Sequence, residues 1–349
     1  MHRRFFALAT AAFLAWTAPA QAGPFGALYA FGDSLSDTGN VYASTLGLFP
    51  AAPYAGGRFS NGPVWVEGLA AGLGLGPLTP SVLGGTNYAF GGAQTGTTPT
   101  HGATPLDLGA QFAAFSAGHP SGAPSDALYT VWIGSNDLLG ALGGGSVAAR
   151  ATADAAVGNV QSVLRGLAAT GARDVVVATV SDIGQAPRLN DDPVASAAGS
   201  ALAAYFNQSL LATLDADPLL AGLELRVLDT YALVADAVAR PSAYGLSNVT
   251  DACLSGATNF AGGTPCANPD ASLFWDDIHP TAAAHAAIGR QALALLGEAP
   301  GGAGGSVPTG TSGAAAVPEP GSFVLLGLGV VGIGLLRRRR PRSAPPRSV

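Results

Sequence analysis

Five short apolar runs alternate with longer helix-like segments between residues 26 and 296, and this alternation restricts the fold more than any other feature of the chain. The runs are GALYAF (26–31), TNYAF (86–90), ALYTVWI (127–133), DVVVATV (174–180) and LELRVLD (223–229). Each is short, apolar and rich in β-branched or aromatic residues, which predicts strands. Helix-like segments lie at 64–73, 146–170, 194–214 and 280–296. In the second of these, Val157, Val160, Leu164 and Leu167 recur at spacings of three and four, giving one apolar stripe to lay on a sheet. Strand–helix alternation predicts a parallel sheet with helices on both faces and functional loops at the carboxyl ends of the strands. With 349 residues, 48% hydrophobic and 11% charged, the chain can bury such a core.

The two ends of the chain read differently. Residues 1–22 carry His2, Arg3 and Arg4, an apolar stretch FFALATAAFLAW and a small-residue AQA ending at Ala22, the order of a secretory leader. This leaves a globular domain at 23–298. A Gly, Pro, Ser and Thr linker follows at 299–316, too poor in apolar residues to bury a core, then a tail at 317–349. The tail holds the apolar run 322–336 and the basic block Arg337 to Arg340. As a helix the run would span about 22 Å, short of the roughly 30 Å hydrocarbon core, so membrane contact through 322–336 requires local thinning or flanking residues. The arginines favour the cytoplasmic side, leaving the globular part outside. They are also the only dense basic cluster, and a net charge of -6 gives no basic face for nucleic acid. Export permits disulfides, and the chain has two cysteines, Cys253 and Cys266, expected to pair and to contribute roughly 3 kcal/mol by closing a short loop. A metal site would need a second nearby pair of ligands, which the sequence lacks.

Four stretches at strand ends carry the residues that a metal-free hydrolase requires. FGDSLSDTGN (31–40) follows the first run, NYAFGGAQTG (87–96) contains the second, WIGSNDL (132–138) ends the third, and FWDDIHPTAAAH (274–285) precedes the last helix-like segment. Acyl chemistry of this kind needs a nucleophile, a base, a group that orients the base, and donors for the oxyanion. Ser34 is the expected nucleophile and His279 the base, an imidazole that can take and return a proton near neutral pH. Asp276 is the expected orienter, with Asp277 an open alternative. The backbone N–H groups of Ser34 and Gly92 and the Asn136 amide are the expected oxyanion donors. Asp37 and Asn40 are assigned to shaping the loop. His101 and His119 lie in Gly, Pro and Thr-rich stretches and read as solvated, and His285 as a packed or capping residue. The spacing from His279 to His285 matches no zinc helix motif. Tyr54, Phe59, Trp65, Trp132 and Trp275 flank the blocks and either line an acyl pocket or pack the core.

These four blocks resemble, in order, the blocks of the GDSL or SGNH hydrolase family of esterases and lipases. GRFSNGPVWVE (57–67) and NPDASLFWDDIHPT (268–281) are similar to the subgroup of plant GDSL lipases, autotransporter esterases and bacterial lecithinase/haemolysin-type enzymes. The resemblance implies a flavodoxin-like three-layer α/β/α sandwich with a mainly parallel five-stranded sheet, no cofactor and no metal. It places the family's catalytic residues on Ser34, Asp276 and His279, and its oxyanion hole on Ser34, Gly92 and Asn136. The implied activity is that of a serine esterase or lipase acting on lipid, aryl or short-chain acyl esters. An acetylesterase on extracellular polysaccharide and an acyltransferase are alternatives, and a surface or matrix protein using the fold as a binding module is the non-enzymatic one. VPEP, the apolar run and the arginine block resemble a PEP-CTERM sorting tail, which implies processing by an exosortase-type enzyme and a cell-surface or extracellular destination.

Overall fold

A computed structural model describes residues 24–97 and 106–297. The leader 1–22, His101, the linker 299–316 and the tail 317–349 with its apolar run 322–336 lie outside the described residues. Among the described residues, no helix is long and apolar enough to cross a membrane.

The sheet is built from β1 (Ala27–Gly32), β2 (Ala127–Trp132), β3 (Asp174–Ala178) and β4 (Glu224–Leu228), all parallel and in that spatial order. Between and around them run α1 (Asn40–Ser44), α2 (Trp65–Gly72), α3 (Leu108–Gly118), α4 (Ser135–Ala141), α5 (Ser146–Thr170), α6 (Pro187–Asn190), α7 (Pro193–Asp215), α8 (Thr230–Ala239) and α9 (Ala282–Gly297). Side-chain alternation along the strands divides the core in two. Tyr29, Phe31, Tyr129, Val131, Val175 and Val177 face one way, against the apolar sides of α3, α5 and α7. Leu28, Ala30, Leu128, Val176 and Leu228 face the other, against α2 and α9. Burial on both faces explains why β1, β2 and β3 read as near-continuous apolar runs instead of alternating ones, whereas β4 is less buried and carries Glu224 and Arg226. The result is the three-layer α/β/α sandwich expected from the sequence.

Helix ends follow local chemistry. α5 occupies the segment with the Val157–Leu167 stripe and stops at Gly171, whose φ of 104° a side chain would resist. α7 starts at Asp192–Pro193, where the Asp192 carboxylate accepts the N–H groups of Val194 (2.8 Å) and Ala195 (3.2 Å) and Pro193 needs no partner.

The sheet has four strands, not the five that the sequence predicts. Segment 86–90 does lie along β1, with Tyr88 N–H on Ala30 O (2.7 Å) and Phe90 N–H on Gly32 O (3.1 Å). The ladder stops after the single bridge between Asn87 and Ala30, because the Gly32 N–H that would meet Tyr88 O is taken by the Gln111 side chain at 2.9 Å. With this segment counted at the edge, chain order across the sheet is that of flavodoxin-like proteins, and the switch point lies at β1. A crevice therefore opens where β1, β2 and segment 86–90 end, next to Ser34, Asn136 and Gly92. A smaller region holds two short pairs, β5 (Asn248–Ala252) with β8 (Ser272–Phe274) and β6 (Leu254–Ser255) with β7 (Thr264–Pro265).

Candidate active site

Gly32, the last residue of β1, sets the start of the loop that carries Ser34. A Cβ there would stand 2.4 Å from Trp132 O, so only glycine lets β1 end this close to β2. The Gln111 amide of α3 takes both backbone groups of Gly32, accepting its N–H at 2.9 Å and donating to its C=O at 2.7 Å. Asp33 then caps a tight turn, receiving Leu35 N–H on its carboxylate (3.0 Å) and the N–H groups of Ser36 and Asp37 on its carbonyl. Buried Asp37 accepts four N–H groups, from Gly39 (2.7 Å), Asn40 (2.6 Å), Val41 (3.3 Å) and Gly91 (2.9 Å). Asn40 donates to the carbonyls of Asn87 and Ala89 and accepts from Ser81 and Val82. The polar residues after the strand are thus a clamp between the Ser34 turn and segment 86–91. Burial pushes the Asp37 carboxyl up to about 6, with the N–H donors of Gly39, Gly91, Asn40 and Val41 pulling it back. Burial likewise pushes Asp33 up to about 7, against the opposing Leu35 N–H and the charge of His279.

The second loop follows β8. Asp276 Oδ1 accepts the N–H groups of Ile278 (2.9 Å) and His279 (2.7 Å), closing the turn, while Oδ2 lies 2.8 Å from His279 Nδ1. His279 Nε2 lies 2.8 Å from Ser34 Oγ, across 245 residues of sequence. All three side chains are buried. Burial alone would raise the Asp276 carboxyl, but the charge and hydrogen bond of His279 and the two backbone donors outweigh it and hold the group below its ordinary value. Asp277 points elsewhere: both its oxygens pair with Arg188, at 2.8 and 3.1 Å, and half of its side chain is exposed. The rings of Phe59 and Phe260 pack 5.4 and 5.5 Å from the imidazole.

Donors converge on the same place. Among the described residues, the backbone N–H groups of Ser34 and Gly92 meet no acceptor. Gly92 has a φ of 80°, a conformation that suits glycine. The Asn136 side chain, in the first turn of α4, donates one amide hydrogen to Ala93 O at 2.9 Å, which leaves the other for a ligand. Asp137 beside it accepts Thr95 Oγ1 at 2.7 Å and ties α4 to the loop after Gly92. Ser34, Asn136 and His279 line one cleft; Gly92 is not among its lining residues but adjoins Ala93, which Asn136 holds. Cys253 and Cys266 form a disulfide with an S–S distance of 2.01 Å, bracketing the loop that carries Phe260.

The cleft holds about 970 Å³ counted to its open mouth. Its walls are mainly apolar, with Leu139, Ile183, Leu233, Leu246, Phe274 and Ile278 among them. Of the aromatic residues that the sequence singles out, Tyr54, Phe59, Trp65, Trp132 and Trp275, none lines it. Trp65 and Trp132 are core residues against α9 and the sheet, Phe59 and Trp275 are buried near the His279 loop, and Tyr54 donates to Asp276 Oδ2 at 2.7 Å. His119 also departs from its reading as a solvated residue: half-buried, it stacks on Phe115 and meets the Tyr29 hydroxyl at 3.0 Å. His285 is fully buried and accepts Trp65 N–H. Gln111 and Tyr54 carry no motif that reveals their parts, since their partners lie 79 and 222 residues away.

A family model described as GDSL-like lipase/acylhydrolase matches residues 28–292. The chain belongs to the GDSL lipase/acylhydrolase family. As a member of the GDSL family it is a carboxylic ester hydrolase. A second model, the PEP-CTERM protein-sorting motif, matches residues 316–340. Over 316 residues the chain is 28% identical to a phosphatidylcholine-sterol acyltransferase of Aeromonas hydrophila, covering 78% of this chain and 90% of that one. It is 29% identical to a GDSL esterase/lipase of Arabidopsis thaliana over 76% of this chain and 86% of the relative. Among solved structures, the acetylxylan esterase Axe2 of Geobacillus stearothermophilus aligns at 15% identity with a TM-score of 0.42, covering 79% of this chain and 96% of that one.

Proposed function

We propose that this GDSL hydrolase is an exported serine esterase that cleaves esters of apolar acyl chains through an acyl-enzyme. Ser34 Oγ attacks the ester carbonyl as His279 Nε2 takes its proton, and Asp276 holds the imidazole in the required tautomer and balances the imidazolium. The oxyanion is received by the N–H groups of Ser34 and Gly92 and by the Asn136 amide. His279 then returns the proton to the leaving alkoxide, the alcohol departs, and water attacks the acyl-serine with the same base assisting. The single observation that carries the substrate class is the apolar wall of the cleft that Ser34 and His279 share. Acyl chains suit such a wall, each buried methylene contributing about 0.8 kcal/mol, roughly fourfold in kcat/KM.

The test is hydrolysis of p-nitrophenyl esters from acetate to palmitate by the full chain. The expected result is a rise in kcat/KM of at least about tenfold from acetate to octanoate, and a loss of at least about 10³-fold in Ser34→Ala. A flat series, or a maximum at acetate, supports the acetylesterase alternative instead. Acyl transfer is favoured as a second reading by the name of the Aeromonas relative. It predicts that an added long-chain alcohol diverts the acyl group from water to ester product. The leader and the sorting motif at 316–340 support export with tail processing by an exosortase-type enzyme. Mass spectrometry of the secreted protein checks this; an intact 322–336 segment in that material would sink it.

A further inference from the structure

The Asp276 carboxylate takes four hydrogen bonds, and their origins differ. Three come from its own loop, two from backbone N–H groups and one from His279. The fourth comes from Tyr54, whose hydroxyl donates at 2.7 Å to Oδ2, the oxygen that also receives His279 Nδ1–H. We propose that Tyr54 is a positioning residue of this esterase: its phenol fixes the plane of the Asp276 carboxylate and shares the oxygen that orients His279. This rests on the reading of Ser34, Asp276 and His279 given above.

Tyr54 is built for a fixed part. It is buried, its N–H is held by Ala51 O at 3.1 Å, and its ring meets Trp275 and Phe260 edge-on, each with centroids 6.1 Å apart. Burial first, then the Asp276 charge, pushes the phenol far above its ordinary range, so it remains a donor at every working pH. It does not line the cleft that Ser34 opens into; it borders a separate pocket with Arg188, Asn259, Phe260 and Asp277. The other ionisable groups around the pair are Asp277, neutralised by Arg188, Asp33 beside Ser34, and His285 on α9. None of these touches Asp276 Oδ2.

The consequence follows from how the oxygen is shared. A carboxylate that loses one donor becomes more basic, so the imidazolium beside it is stabilised and His279 stays protonated to higher pH. The acid limb of the pH profile then moves up. The freed carboxylate also samples orientations that no longer hold the imidazole toward Ser34, and turnover falls while substrate binding is untouched.

Tyr54→Phe in the full chain, assayed on p-nitrophenyl butyrate from pH 5 to 9, reads this directly. Titration of the serine with an organophosphonate counts folded active sites, so partial misfolding does not enter kcat. The expected result is a fall in kcat of about tenfold, KM within about twofold, and an upward shift of the acid limb. On an Asp276→Asn background the same substitution is expected to cost less than about twofold, because the two residues act as one unit. An unchanged kcat and limb, a change confined to KM, or an equal cost on the Asp276→Asn background each overturns the proposal. The triad reading fails separately, if Ser34→Ala or Asp276→Asn matches the unmodified chain.

Discussion

The loop that carries Ser34 and the loop that carries His279 meet at 2.8 Å but are held by different means. Around Ser34 the bonds are mostly to backbone: Asp37 gathers four N–H groups, Asn40 spans two carbonyls, and Gln111 takes both groups of Gly32. The web closes on residues 32–41 and segment 87–91, apart from Gln111, Ser81 and Val82. Around His279, Asp276 accepts two N–H groups, and backbone bonds run from Trp275 N–H to His279 O, Thr281 N–H to Leu273 O, Leu254 N–H to Trp275 O and Arg188 N–H to Asp277 O. Side chains from three separate stretches reach in as well: Tyr54, Phe59, Ser60 and Asn61 from one loop, Arg188 from α6, and Phe260. In the proposed mechanism Ser34 must stand still, and a dense backbone web supplies that. The proposed base must be held toward it, and side chains that reach in from elsewhere can do so. Damage to the first loop should appear as lost stability, and damage to the second as altered turnover and pH dependence.

The largest expected effect that would break this contrast lies at Asp37. Asp37→Ala orphans four N–H groups in a buried turn and is expected to cost about 3 to 5 kcal/mol in urea unfolding. A loss under about 1 kcal/mol would mean that the Ser34 loop is not held by its backbone web. Next comes Asn136→Ala, which removes a donor without touching either clamp. It should lower kcat by about 10²-fold with little change in melting temperature.

A pH series of stability separates the two sides by sign. Asp33, raised from 3.8 to about 7, contributes stability that is fully present below 3.8 and lost as pH rises through 7. His285 sits behind the base on α9, and burial lowers it from 6.5 to about 3; its contribution is present above 6.5 and lost as pH falls toward 3. Asp33→Asn should therefore gain on the unmodified chain as pH rises from 4 to 7, and His285→Gln as pH falls from 7 to 4. Each slope is at most about 1.4 kcal/mol per pH unit. Parallel slopes for the two variants, measured by denaturant unfolding across this range, would remove the distinction.

Much of the fold is legible in the sequence because its signals are local. Apolar runs at 26–31, 127–133, 174–180 and 223–229 coincide with β1 to β4 to within two residues at each end, and the Val157–Leu167 stripe with α5. Segment 86–90 has the same composition, yet its ladder with β1 ends where Gln111, 79 residues from Gly32, takes the Gly32 N–H, a contact that composition does not encode. Of the two readings open for Tyr54, Phe59, Trp65, Trp132 and Trp275, lining the cleft or packing inside, the fold gives burial away from the cleft. Proximity in sequence to a motif does not put a side chain in the cleft. Its apolar walls come from α4, α8, α9, β8 and the stretches around Ile183, Leu246 and Ile278, which only the fold brings together.

The sequence by itself determined the layers, the strand ends and the residue types available for acyl chemistry, because periodicity, turn residues and motif spacing are properties of neighbours along the chain. Only the tertiary structure decided which of two adjacent carboxylates faces His279. Asp276 and Asp277 are chemically alike, and Arg188 pairs with one while Tyr54 donates to the other. Those partners lie 89 and 222 residues away, and such contacts depend on how the layers stack, which no local pattern records.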